Sequence, residues 1–182
     1  IQRGGPKIGL LVTKGAEDKL YGQHPAGSDT AFISPGSVIG LAESVDDDGR
    51  VEVPVDKEEV LAGVRQLLEQ GARMIVVSFR NAWINATNEH RVVEYVKDRY
   101  PVHYLRSIPI QLATEVVHVA DDHVRTNSAI LNAYIHSDMA RSLYRAEDEL
   151  REAALARPLL VVHASGGNAR IAKTIALHTL NS

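Results

Sequence analysis

Short apolar runs alternate with amphipathic stretches along this chain, and that alternation restricts it to few folds. Lys7–Thr13 (KIGLLVT), closed by Lys14-Gly15, reads as a buried strand. Residues 22–37 are rich in Gly, Pro, Ser and Asp and read as loop. Val38–Val45 and Arg50–Val53 flank Asp46-Asp47-Asp48-Gly49, and Asp-Gly between two strand-like runs predicts a β-hairpin. The rest of a calcium-loop pattern, including its closing Glu, does not follow the three aspartates. Asp56 caps a helix to about Gln70, with Val60, Val64, Leu67 and Leu68 as its apolar stripe and Gly71 as its stop.

Met74–Phe79 is the next strand. Asn85 starts a helix to about Tyr100 with Val92, Val93 and Val96 inward, and Pro101 ends it. Val102–Leu105 reads as a further strand, and residues 106–120 resist assignment. From about Asp121 to Ala156 the pattern is helical. Leu131, Ile135, Met139, Leu143, Ala146, Leu150 and Ala154 recur at spacings of three and four. Unbroken, that helix is roughly 50 Å long at about 1.5 Å per residue; Ser137-Asp138 is the place where a second cap would divide it. An apolar run, Leu159–Val162, then leads through Ser165-Gly166-Gly167 into an amphipathic stretch, Ile171–Leu180.

Strand–helix alternation of this kind predicts an α/β fold: a largely parallel sheet with an edge β-hairpin and one long helix. The strands at 7–13, 74–79, 102–105 and 159–163 are expected in one sheet, with the hairpin at 38–53 extending or flanking it. The whole of 1–182 reads as a single α/β segment with sub-lobes 1–120 and 121–182. Its first residues, starting at Ile1, read as the approach to a strand, so a longer parent protein is expected.

Composition closes several routes. Cysteine is absent, which excludes disulfides, thiolate metal sites and a Cys nucleophile. A net charge of -3 argues against a general nucleic-acid binder. No apolar run approaches the roughly 18 residues of a membrane span, and no signal-peptide pattern opens the chain. A cytoplasmic protein with neither nucleic-acid nor membrane partners is the expectation.

Three constellations could carry chemistry. His118, Asp121, Asp122 and His123 open the long helix, where His118 and Asp122 would share a face. They read either as a metal site or as a solvated, capped helix start; with no further ligand at a suitable spacing, no metal is expected. Arg125-Thr126-Asn127 offers a guanidinium fork and two neutral groups, suited to clamping a carboxylate or carbonyl of a substrate, or to tying the helix to a neighbouring loop. Ser165-Gly166-Gly167 could present backbone N–H groups to an anion. Neither G-x-x-x-x-G-K-[ST] nor G-x-G-x-x-G is present, so a turn that lets two backbones pack closely is the other reading. No catalytic residue is assigned.

Several stretches together resemble the hydantoinase A / 5-oxoprolinase family. Leu10–Leu20 (LLVTKGAEDKL) resembles its T-T-K-G-F-x-D segment. Val76–Val96 resembles its L-H-S-Y-x-N-P-x-x-E-x-R-V stretch, with Trp83 in the Tyr place and Asn85, Glu89 and Arg91 matching. Val124–Ile135 (VRTNSAILNAYI) resembles its E-R-T-x-T-x-x-x-N-A-Y-L helix, and Leu159–Gly167 its L-L-I-M-Q-S-x-G-G strand and turn. His178–Ser182 looks like the run into its S-G-P-x-G-G loop. The Arg-Thr-Asn-Ser version is nearer the ketone carboxylase subunits of the family than the oxoprolinases. Asn81 stands where the family often has His, Ala86 where it has Pro, and Ser137 where Pro is common.

The resemblance implies part of an actin-like, RNase H-like ATPase fold. It implies a parent that uses ATP and Mg²⁺ either to open a cyclic amide or to carboxylate a ketone. Amide-oxygen phosphorylation would serve the first reaction; phosphorylation of an enolate and of bicarbonate would serve the second. The family's loops D-x-G-G-T-x-T-D and D-x-G-G-T-S-x-D do not occur in the sequence, so the segment itself is expected to hold no cofactor. Its partners would be the rest of the parent chain, a B-type subunit and a small-molecule substrate. A non-catalytic binding or subunit-assembly module is the alternative.

Overall fold

The computed structural model describes residues 5–22, 32–100, 109–155, 157–164 and 166–179. Four parallel strands make the central sheet: β1 (Ile8–Thr13), β2 (Val38–Leu41), β5 (Met74–Ser78) and β6 (Ile110–Leu112), in the order β2-β1-β5-β6. β1 pairs with β2 from Leu10↔Val38 and with β5 from Ile8↔Met74. The hairpin strands β3 (Ser44–Val45) and β4 (Val51–Val53) pair antiparallel beside the sheet.

Both faces of the sheet are covered, which is why β1 and β5 read as continuous apolar runs rather than alternating ones. Helices α1 (Lys57–Glu69) and α2 (Thr87–Arg99) lie on one face. There Val64, Leu67, Val92 and Val96 meet Leu11, Ile75 and Val77. On the other face the short α3 (Ala113–Val116) and long α4 (Asp122–Glu152) bring Val116, Ala129, Ile130 and Ala133 against Leu10, Val12 and Val76. Odd and even strand residues thus feed separate cores, as the period of two requires. Gly9 lets α1 approach: a Cβ there would stand 2.9 Å from Leu67 Cδ1.

Local signals set most boundaries. Asp56 accepts from Glu59 N at 2.9 Å to cap α1, and Gly71 follows with φ +88°. Asp121 accepts from Val124 N at 3.0 Å to cap α4. Helix α2 starts two residues past Asn85, whose Oδ1 nevertheless accepts from Thr87 N at 2.9 Å and Thr87 Oγ1 at 2.6 Å. In the hairpin, Asp46 Oδ1 accepts from Asp48 N and Arg50 N, so the aspartate run builds a turn.

Several expectations are corrected. Val38–Leu41 is not part of the hairpin; it is a parallel strand of the main sheet. The fourth strand is Ile110–Leu112, in the stretch left unassigned, while the strand expected at 102–105 lies outside the described residues. Helix α4 runs unbroken through Ser137-Asp138, with no proline there to interrupt it. Its buried face is Arg125, Thr126, Ala129, Ile130, Asn132 and Ala133, not the apolar stripe, and Leu131 is 38% exposed. Small and hydrogen-bonded residues pack closest to the sheet, and apolar counting misses them.

The largest correction concerns the end of the chain. β7 (Leu160–Val162) does not join the main sheet; it pairs antiparallel with β8 (Asn168–Arg170) in a separate two-stranded sheet. The glycine turn therefore joins two strands rather than entering a helix. The helix expected over Ile171–Leu180 is replaced by two 3-10 turns, Ile171–Lys173 and Ala176–Thr179, packed on α4. Leu160 and Val162 remain 54% and 59% exposed, so nothing drives this hairpin into the core.

Candidate functional site

In the order β2-β1-β5-β6 the chain leaves β1 toward one edge of the sheet and leaves β5 toward the other. Successive connections therefore diverge between β1 and β5. Open α/β sheets bind ligands beyond the carboxyl ends of the strands at such a switch point.

A polar network occupies that place. The Tyr21 hydroxyl accepts from Thr13 N at 2.9 Å and donates to Ser78 O at 2.8 Å, bridging the ends of β1 and β5. Burial pushes its phenol up from the usual value. Thr13 Oγ1 accepts from Arg80 N at 2.8 Å and donates to Glu43 Oε1 at 2.5 Å. Glu43, almost fully buried, also accepts from Asn88 Nδ2 at 2.8 Å. Desolvation raises its carboxyl above the ordinary range, partly offset by those two hydrogen bonds. Asn81 N donates to Asp122 Oδ1 at 3.2 Å, and Asn81 Nδ2 donates to Val45 O and Asp47 Oδ1, fastening the hairpin to the rim. The backbone is strained here. Leu20, Tyr21 and Asn81 have φ of +46°, +66° and +55°, three of the four non-glycine residues with positive φ among the described residues. Such strain persists only where surroundings enforce it, and it concentrates at functional sites.

Two further buried groups support the floor. Glu89, with no exposed surface, accepts from Phe79 N at 3.1 Å and Thr114 Oγ1 at 2.6 Å. Desolvation lifts its carboxyl to about 7, against the lowering effect of those bonds and of Arg125. Arg125 is fully buried and donates to Phe79 O at 2.8 Å, Val119 O at 2.9 Å and Asp122. Thr126 Oγ1 donates to Asp122 O at 2.6 Å and lies 2.7 Å from Ser78 Oγ. Asn127 Nδ2 is 3.1 Å from His123 Nε2. The Arg125-Thr126-Asn127 cluster thus lies beside the crevice, with Arg125 and Thr126 bonded to the end of β5 and to the first turn of α4.

The His118–His123 group disperses. Asp121 caps, Asp122 joins Arg125 and Asn81, and His123 Nδ1 meets Leu20 O at 3.0 Å. His118 instead stands edge-on to Trp83 at 6.5 Å. Among the described residues no three His, Asp or Glu side chains converge to hold a metal ion.

Of the glycine turn, Ser165 lies outside the described residues. A Cβ at Gly166 or Gly167 would meet nothing within 4 Å, so among the described residues no other backbone packs closely on the turn. With a strand rather than a helix on its far side, the turn does not fit a phosphate group of ATP.

Sequence reasoning missed Thr13, Tyr21, Glu43, Arg80 and Asn81 as site residues, and named Glu89 only within a motif. A cation directly after the run Met74–Phe79 was a usable signal for Arg80; Tyr21 and Glu43 gave none. A groove of about 460 Å³, lined by Arg73, Met74, Gln111, His136 and Lys173 among others, opens at the amino edge of β5 and β6. Its Gln111 and Asn132 amides are already bonded to each other and to backbone, which marks it as a seam between the sheet and α4.

Residues 1–100 match the model for the hydantoinase/oxoprolinase N-terminal region. The chain belongs to that hydantoinase/oxoprolinase family. It is 33% identical to the acetophenone carboxylase gamma subunit of Aromatoleum aromaticum over 198 aligned residues, covering 100% of this chain and 27% of that subunit. Two solved structures share the fold. The nucleotide-free structure of acetone carboxylase, from a study of ATP-dependent acetone carboxylation, matches with a TM-score of 0.79 at 21% identity, over 98% of this chain and 28% of that one. The ATP-dependent caprolactamase of Pseudomonas jessenii matches with a TM-score of 0.78 at 22% identity, over 96% and 27%. The chain spans about a quarter of the length of these hydantoinase/oxoprolinase relatives.

Proposed function

We propose that this chain is part of a subunit of an ATP-dependent carboxylase acting on a ketone, with the carboxyl edge of its sheet turned toward the substrate. The observation that carries the reading is the 33% identity to the acetophenone carboxylase gamma subunit, which runs over the whole chain. The strained, polar crevice between β1 and β5 supports it as the place of work. Arg125 and Thr126 act there from below, fixing the Phe79 carbonyl and Ser78 so that the rim keeps its shape. ATP and Mg²⁺ belong to other parts of the parent protein, which works in the cytoplasm with a B-type subunit. A second reading, ATP-dependent opening of a cyclic amide, draws support from the likeness to caprolactamase.

The test uses the full-length subunit with its B-type partner and Mg-ATP. Acetophenone or acetone with labelled bicarbonate is compared with caprolactam and 5-oxoproline. Ketone-stimulated ATP hydrolysis, with label appearing in an acid, is the expected result. Lactam-stimulated hydrolysis without need of bicarbonate would establish the second reading. No stimulation by either class would leave a non-catalytic assembly module.

A further inference from the structure

We propose that Arg80 binds a small carboxylate or bicarbonate at the mouth of the β1–β5 crevice; this rests on the carboxylase or amide-hydrolase reading.

The charges of the crevice are unevenly spent. Glu43 is held by Thr13 and Asn88, Asp122 by Arg125 and Asn81, and Glu89 by Phe79 N and Thr114. Arg125 is consumed by Asp122 and two carbonyls. The Arg80 side chain is exposed and makes no ion pair or side-chain hydrogen bond among the described residues. Lys14 is exposed too, at the start of the turn closed by Gly15. The three carboxylates of the crevice floor are thus hydrogen-bonded, with Glu43 also in electrostatic reach of Arg80, and the Arg80 guanidinium faces outward.

Arg80 is also aimed. Its N–H is tied to Thr13 Oγ1, the next residue is locked at φ +55°, and its guanidinium lies over the Tyr21 ring, 5.9 Å from the centroid. Tyr21 is itself fixed by both strand ends. A guanidinium shelved on an aromatic face keeps its N–H edge for a planar acceptor and loses little freedom on binding one. Carboxylate and bicarbonate are planar acceptors of that geometry.

Both candidate reactions present such a group. Carboxylation consumes bicarbonate and yields a keto acid; amide-ring opening yields a carboxylate. The shared ligand chemistry is therefore a small planar oxyanion, and separate titrations distinguish the source.

The ¹⁵N-labelled chain is titrated with bicarbonate, acetate and inorganic phosphate while the Arg80 side-chain and Gly15 amide resonances are followed. Saturable shifts at millimolar bicarbonate or acetate are expected. Arg80→Gln should weaken them about tenfold or more, as loss of one charge-assisted hydrogen bond implies. Arg141→Gln, which alters an exposed arginine on α4, should leave them unchanged. Bicarbonate binding tighter than acetate assigns the site to the co-substrate, and the reverse assigns it to the product acid. The absence of saturable shifts, shifts of equal midpoint in Arg80→Gln, or preference for phosphate over both carbon oxyanions would overturn the proposal. Binding is read here without turnover, so its failure and failure of the ATP-dependent reading are separate results.

Discussion

Glu89 sits where a carboxylate is costly. No water reaches it, and its carboxyl is lifted from 4.5 to about 7. A raised carboxyl means the folded chain holds a proton that the unfolded chain releases. The stability this contributes is fully present below about pH 4.5 and is lost as pH rises through 7. Glu89→Gln mimics the protonated form and removes the titration. Between pH 4 and pH 8 the variant should therefore gain about 3 kcal/mol relative to the parent chain. Urea unfolding at both pH values measures this, and an unchanged difference would place the titration elsewhere. Glu43, raised for the same reason, adds a loss of the same sign. Arg125 is the opposite case, a buried cation paired with Asp122, although its Nε has no partner among the described residues. Arg125→Met should cost about 3 kcal/mol or more, because Asp122 and two carbonyls lose their donor. An unfolding midpoint indistinguishable from the parent chain would contradict that account. Arg125 stood out in the sequence because it heads a helix beside two polar neighbours. Tyr21 did not, because nothing local announces a ring folded back across two strand ends, one of them 57 residues away in sequence.

Elements were readable where the deciding interaction is local. Asp56, Asp121 and Gly71 mark helix ends through bonds that span a few residues, and the Asp-Gly pair marked its turn. Gly49 holds φ +82°, and a Cβ there would stand 2.8 Å from Ile84 Cγ2. Gly49→Ala should therefore destabilise the chain by about 1–2 kcal/mol. It should also loosen the Asn85–Gly49 tie that fastens the hairpin to α2. A thermal midpoint equal to the parent's would show that the hairpin is not anchored this way. Elements were misread where the partner is distant. Leu159–Val162 has a strand's composition, but which sheet it joins depends on what covers it, and Leu160 and Val162 stay exposed. The α4 stripe failed similarly. The face toward the sheet is chosen by Ala129 and Ala133, which permit close approach, and by the Asn132–Gln111 bond.

Among the described residues a groove lies at the amino edge of the sheet and a polar cluster at the carboxyl edge, where α/β sheets bind ligands. In the amino-edge groove Gln111 and Asn132 are bonded within the fold, while the buried His136 Nδ1 has no partner among the described residues. The carboxyl-edge crevice carries strain, buried carboxylates and an outward-facing cation. We propose that the chain does not cradle a nucleotide by itself. One helix N-terminus yields about 1 kcal/mol toward an anion, against the roughly 4 kcal/mol of millimolar binding. Titration of Mg-ATP into the 182-residue chain should therefore give no binding tighter than millimolar. Micromolar affinity would mean that the nucleotide site lies inside it. The choice between the edges is decided by substrate-stimulated ATP turnover in the full-length subunit with its partner. Arg80→Gln, at the carboxyl edge, should lower kcat/KM for the carbon substrate or bicarbonate about tenfold or more, while Lys173→Gln, in the amino-edge groove, should leave it unchanged. A loss with Lys173→Gln and none with Arg80→Gln would contradict the assignment of the working face.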